Sequence, residues 1–167
     1  MKQVFTLTNE AGNKLSCMFF EPVAEERPSE KMPMVIYMHG NAGCKNEALA
    51  YAEMLLTSGI NICSFDFSGC GISEGEWVTL GWKEHKDLHA VITHLSSLGT
   101  VSKIALWGRS MGAATAIRYM ADHVDAASCA VLDSGFSSFS EVVDHLAAAQ
   151  FGIPPAFVQI LMMSVSQ

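Results

Sequence analysis

Gly108-Arg109-Ser110-Met111-Gly112 sets one serine between two glycines, directly after an apolar run at 104–107 and directly before a helical stretch starting at 111. Chance produces roughly 0.1 matches to Gly-x-Ser-x-Gly in a chain of this length and composition, so the strand–turn–helix setting carries more weight than the pattern. A serine on so sharp a turn is strained, and its hydroxyl projects above the sheet as a nucleophile. Side chains at 108 and 112 would collide with the neighbouring strand and helix. Ala113 and Ala114 extend the small surface. The helix that opens at Met111 offers a free N–H and the positive end of its dipole. A second N–H donor is expected from His39-Gly40-Asn41-Ala42-Gly43, with Asn41 preferred and Ala42 the alternative. Such donors form an oxyanion hole, each worth about 3–4 kcal/mol in the transition state. The competing reading is an ordinary turn serine beside a plain strand-to-helix turn.

A serine nucleophile also needs a base, and the base needs an acid to orient it. Asp133 ends the apolar run after the elbow helix and is a candidate acid, against the competing reading of a structural strand-end carboxylate. Six histidines are available. His39 belongs to the loop after the 34–38 strand and reads as structural. His85, His89 and His94 fall on one helix, and His123 ends the elbow helix. Only His145 follows Asp133 along the chain. Its helix is expected to lie over the sheet. His85 and His89, four apart, could share a metal, but no third ligand has suitable spacing, so boundary histidines are the expectation.

The elements that position these residues alternate strand and helix. Strands are expected at 4–7 and 14–21, joined by a turn at 9–13, followed by a Pro-rich surface loop at 22–33. The continuous apolar run at 34–38 reads as a strand buried on both faces, and 60–65 reads as the next buried strand. Further strands fall at 104–107 and 129–132, and helices at 47–58, 79–98 (capped by Thr79), 111–121, 138–150 and 155–165. Strand–helix alternation gives a parallel sheet, and reacting groups then gather at the carboxyl ends of its strands. The sequence shows no internal repeat and no low-complexity tract.

The chain has 167 residues, half of them hydrophobic and 16% charged, enough for one packed domain. A net charge of −7 and a pI near 5.2 leave no electrostatic footprint for nucleic acid or for an anionic membrane surface. The N-terminus alternates polar and apolar residues, unlike a signal peptide. The apolar stretch 151–165 is too short and too interrupted by prolines to span a bilayer. Five scattered cysteines without metal-ligand spacing point to free thiols in a reducing compartment, hence the cytoplasm. Neither cofactor nor metal is expected.

The segments His39–Gly43, Asp66-Phe67-Ser68-Gly69-Cys70-Gly71-Ile72-Ser73, Gly108–Gly112 and Leu132-Asp133-Ser134 resemble, in order and spacing, the serine aminopeptidase-like group of α/β-hydrolases. That group includes lysophospholipases and protein-depalmitoylating esterases. The resemblance implies a three-layer α/β-hydrolase fold with a mostly parallel sheet. It implies a serine hydrolase of acyl ester, thioester or amide bonds, acting on a small-molecule or acylated substrate. Asp66 to Ser73 is a structural loop in that group. The group's acid and histidine follow its seventh and eighth strands. By this resemblance, residues 1–167 are a single incomplete domain, with strands 1–6 and their helices in 1–134 and lid-like helices in 135–167. A non-catalytic binding module is the alternative function. A second chain supplying the late strands or the base is a further one, as is self-association through an uncovered sheet face.

Overall fold

The computed structural model describes residues 1–136 continuously, then positions 138, 140, 142, 143, 147, 148, 152 and 154. Met1–Gly135 is one compact unit and Phe136–Gln167 a second. In the second unit positions 140, 142, 143, 147 and 148 are helical. Otherwise the helices expected at 138–150 and 155–165, and His145 with them, lie outside the described residues.

The first unit is built on a six-stranded sheet: β1 (Lys2–Thr8), β2 (Lys14–Phe20), β3 (Met32–Met38), β4 (Asn61–Phe65), β5 (Val101–Arg109) and β6 (Cys129–Asp133), in the order β1-β2-β4-β3-β5-β6. β1, β2 and β4 pair antiparallel, while β4, β3, β5 and β6 run parallel. The β1–β2 hairpin closes where Asn9 N–H donates to Asn13 O at 3.0 Å. β3 shows how pattern becomes layer. Met34, Ile36 and Met38 face one core and Val35 and Tyr37 the other, as period-two alternation requires.

Helix α1 (Leu49–Thr57) packs Ala52 and Leu55 on the Val35–Tyr37 face. Helices α2 (Glu84–Ser97) and α3 (Met111–Asp122) cover the other, through Leu88, Val91 and Leu95 of α2 and Met111, Ala116 and Tyr119 of α3. Each large side chain so buried stabilises by roughly 1.5–3 kcal/mol relative to exposure.

Three local expectations change. The loop expected at 22–33 yields its last residues to β3, which starts at Met32 and admits Pro33 at an irregularity in its pairing with β5. Proline lacks the N–H a regular ladder needs, and a bulge removes that demand. The helix expected from 47 begins instead as a 3-10 turn over Lys45–Ala48. Thr79 does not cap α2, which starts at Glu84. Leu80 and Gly81 take positive φ of 54° and 106°, which no helix tolerates. The buried Glu84 carboxylate gathers the N–H groups of Thr79 (2.6 Å) and Gly81 (2.8 Å) and the Thr79 hydroxyl (2.7 Å) into a separate turn.

Candidate active site

β5 ends and α3 begins within a single turn, and the residue at the turn is Ser110. Its φ of 50° and ψ of −110° lie outside the regions open to ordinary L-residues, a strain of about 1–3 kcal/mol that the surroundings must hold. Ser110 N–H donates to Asp133 O at 2.8 Å, and Ser110 O accepts from Ala114 N–H at 3.0 Å, so backbone on both sides fixes the turn. The glycines are required for space. A methyl carbon on Gly108 would lie 2.3 Å from Gly112 C and O, and one on Gly112 would lie 2.2 Å from Met38 O. Helix α3 therefore meets the end of β3 in direct backbone contact.

The loop after β3 stands beside this turn. A methyl carbon on Gly40 would lie 3.7 Å from both Arg109 O and Ser110 Cβ. Gly43 N–H donates to Gly40 O at 2.9 Å, closing a tight turn with Asn41 and Ala42 exposed at its tip. The loop is held from below. His39 is fully buried, its Nδ1 lies 2.7 Å from Gly40 O, and its Nε2 accepts from Phe67 N–H at 3.3 Å. Its ring meets Phe67 edge-on. At the far end Lys45 donates its N–H to Asp66 Oδ1 at 2.7 Å and its ammonium to Oδ2 at 2.6 Å. Lys45 O accepts from Ser64 Oγ at 2.6 Å. The Asp66 to Ser73 segment thus acts as the floor of the loop. Burial alone would raise the Asp66 carboxyl, but the Lys45 ammonium and the N–H groups of Lys45 and Ile72 reverse this and hold it below the usual aspartate range.

Asp133 faces Arg109 across the β5–β6 register, one strand from Ser110. It is exposed, and its Oδ1 accepts from Ser134 Oγ at 2.8 Å. Among the described residues no histidine accepts a hydrogen bond from Ser110. His39 is committed beneath the loop. His85 Nδ1 lies 2.8 Å from Trp82 O, His89 Nδ1 lies 3.0 Å from Tyr119 Oη, and His123 Nδ1 lies 3.1 Å from Tyr119 O. His94 packs on Phe5. The structure thus brings together Ser110, Met111, the Gly40–Gly43 turn and Asp133, and adds no described base. Among the described residues no three His, Cys, Asp or Glu side chains gather at metal-binding range. All five cysteines are free thiols. Burial pushes Cys70 up to about 11 and Cys17 up to about 12, so both stay neutral and unreactive at physiological pH.

Sequence reasoning missed four charged residues that shape this region. Lys45, Glu84 and Asp87 are buried, and Glu47 reaches back to the loop. Asp87 accepts from Ser68 N–H at 2.8 Å and from Asn9 Nδ2 at 2.6 Å, tying the hairpin turn to the loop after β4. Burial, reinforced by nearby Glu84, lifts its carboxyl above the usual range despite those bonds. An alternating or helical pattern carries no signal for such contacts.

A mostly parallel sheet with helices on both faces and a strained serine turn at its carboxyl edge defines the α/β-hydrolase class. The comparisons agree. The chain matches the model of the family described as serine aminopeptidase, S33, over residues 29–162, and it belongs to that family. It is 29% identical over 129 residues to the uncharacterized protein YqkD of Bacillus subtilis, covering 76% of this chain and 42% of that one. It is 27% identical to the lysophosphatidylserine lipase ABHD12 of Xenopus tropicalis, covering 70% of this chain and 31% of the lipase. Among solved structures, the Pyrococcus furiosus esterase Pf2001 superposes with a TM-score of 0.74 at 29% identity, covering 96% of this chain and 64% of the esterase. The chain spans about half or less of the length of these curated relatives. Among the described residues no helix is long and apolar enough to cross a membrane.

Proposed function

We propose that this protein is a serine hydrolase that cleaves acyl ester, thioester or amide bonds, with Ser110 as nucleophile. The observation that carries the reading is the Ser110 turn itself: a non-glycine residue at φ 50°, braced by backbone bonds, beside the Gly40–Gly43 turn. In this reading Ser110 Oγ attacks the acyl carbonyl. The N–H of Met111, which opens α3 and has no carbonyl four residues back inside the helix, and the N–H of Asn41 receive the developing oxyanion. The base that takes the Ser110 proton belongs to a part of the protein outside the described residues. Asp133 is the candidate acid, because it ends the strand next to Ser110. The lipase and esterase names of the relatives support an acylated small molecule as substrate.

A nucleophile and oxyanion hole without a base sustain about 10³–10⁴-fold acceleration over water. The folded chain is therefore expected to release p-nitrophenol from p-nitrophenyl butyrate faster than the urea-unfolded chain, and to leave p-nitrophenyl phosphate intact. Equal release from folded and unfolded chain would overturn the reading. It would favour a non-catalytic module, the alternative motivated by the missing base among the described residues. The half-exposed apolar residues Val131 and Leu132 on edge strand β6 support self-association, which light scattering measures. The free thiols support a reducing compartment such as the cytoplasm.

A further inference from the structure

We propose that Glu47 is a positioning residue that clamps the 39–44 loop against the elbow and so holds the second oxyanion donor in place. The inference rests on the reading of that loop given above. Glu47 lies on the 3-10 turn just beyond the loop, and its carboxylate reaches back to three elements. Oε2 accepts from Tyr37 Oη of β3 at 2.9 Å and stands 3.7 Å from the guanidinium of Arg109, the residue immediately before Ser110. Oε1 lies against Gly43. A methyl carbon at that glycine would come within 1.9 Å of Oε1 and 2.9 Å of Cδ.

The anchor at the base of this clamp is rigid. Tyr37 is buried, and its ring packs against Tyr51 at 5.3 Å and Trp107 of β5 at 6.0 Å. From there the contacts run in sequence. Tyr37 fixes the Glu47 carboxylate, the carboxylate backs Gly43, Gly43 N–H closes on Gly40 O, and Gly40 faces Ser110. Arg109 closes the circuit from the elbow side. The Arg109 contact is long and its side chain half exposed, so it contributes little by itself. The Tyr37 hydrogen bond and the packing on Gly43 carry the clamp. The carboxylate also explains why position 43 is glycine, since any side chain there would displace it.

Residue-resolved amide exchange by NMR on the full chain, with Glu47→Ala and Glu47→Gln, tests the proposal. It is paired with the rate at which a fluorophosphonate modifies Ser110. In Glu47→Ala the Gly43 N–H is expected to exchange about tenfold faster, the factor that loss of one net hydrogen bond gives, with β3 and β4 amides at parental rates. Glu47→Gln still accepts from Tyr37 and stays within about threefold of the parent. Modification of Ser110 slows in proportion to the loss at Gly43. Unchanged Gly43 exchange in folded Glu47→Ala overturns the proposal, as does a loss shared equally by β3 and β4, which would mark a purely structural role. An unmodified Ser110 in the parent defeats the nucleophile reading alone, and exchange at Gly43 still decides the clamp.

Discussion

Lys45→Met is expected to destabilise the chain by about 3–5 kcal/mol at neutral pH, a large share of the roughly 5–15 kcal/mol that holds a typical domain together. The reason is the carboxylate it abandons. Asp66 is 1% exposed, with Lys45 Nζ at 2.6 Å and, among the described residues, two N–H donors, those of Lys45 and Ile72, to share its remaining charge. Gly71 packs against the same carboxylate, so a side chain at position 71 would collide with it. Without the ammonium, a buried charge stands uncompensated. The pH dependence follows with a definite sign. In the parent, Asp66 titrates below its ordinary value of 3.8, so its stabilisation is complete above that value and is lost as pH falls through the lower, folded-state value. In Lys45→Met burial dominates, the carboxyl titrates above its ordinary value, and acidification recovers stability. The difference between parent and variant should therefore shrink as pH falls from 7 toward 4. Urea titrations at several pH values measure it, and adding Asp66→Asn should restore part of the loss. A constant difference across that range would show that lost packing, not the charge, is responsible.

Gly112→Ala is the second large effect, expected to cost about 3 kcal/mol or more, at the upper end of overpacking penalties. The added carbon would stand 2.2 Å from Met38 O and 2.7 Å from Met38 C, and neither atom is the end of a flexible side chain. Relief requires α3 to lift from the end of β3, which also moves Met111 and reopens the Ser110 turn. Gly40→Ala is the control. Its nearest atoms lie at 3.7 Å, an ordinary contact, so the packing cost should stay below about 1 kcal/mol. Denaturant midpoints of the two variants should separate widely. Similar midpoints would mean that the elbow helix has slack that its contacts do not show.

The elbow was legible because all its determinants are local. An apolar run, two glycines four positions apart and a helix of small residues are visible in a short window, and the structure places Ser110 on the strained turn they imply. The strands of the sheet were legible for the same reason, since the unbroken apolar run at 34–38 needs cover on both faces, and 60–65 pairs beside it as the next buried strand. What escaped depends on distant partners. Lys45 meets Asp66 twenty-one positions away, and Asn9 meets Asp87 seventy-eight positions away. A buried charge looks like a surface charge until its partner is known. The late start of α2 escaped because Thr79 fits a capping pattern, while the left-handed Leu80 and Gly81 that break the helix are set by the Glu84 carboxylate and by close packing of Gly81 on α3. Pro33 argued for a loop, and only the pairing with β5 reveals the irregularity that admits it to a strand.

Whether Ser110 is a nucleophile is decided most directly by exposing the folded chain to a fluorophosphonate and mapping the adduct by peptide mass. A single phosphonyl group is expected on Ser110, absent from Ser110→Ala and from the urea-unfolded chain. A folded chain that remains unmodified, or that carries the adduct on another serine while Ser110 stays free, would contradict it.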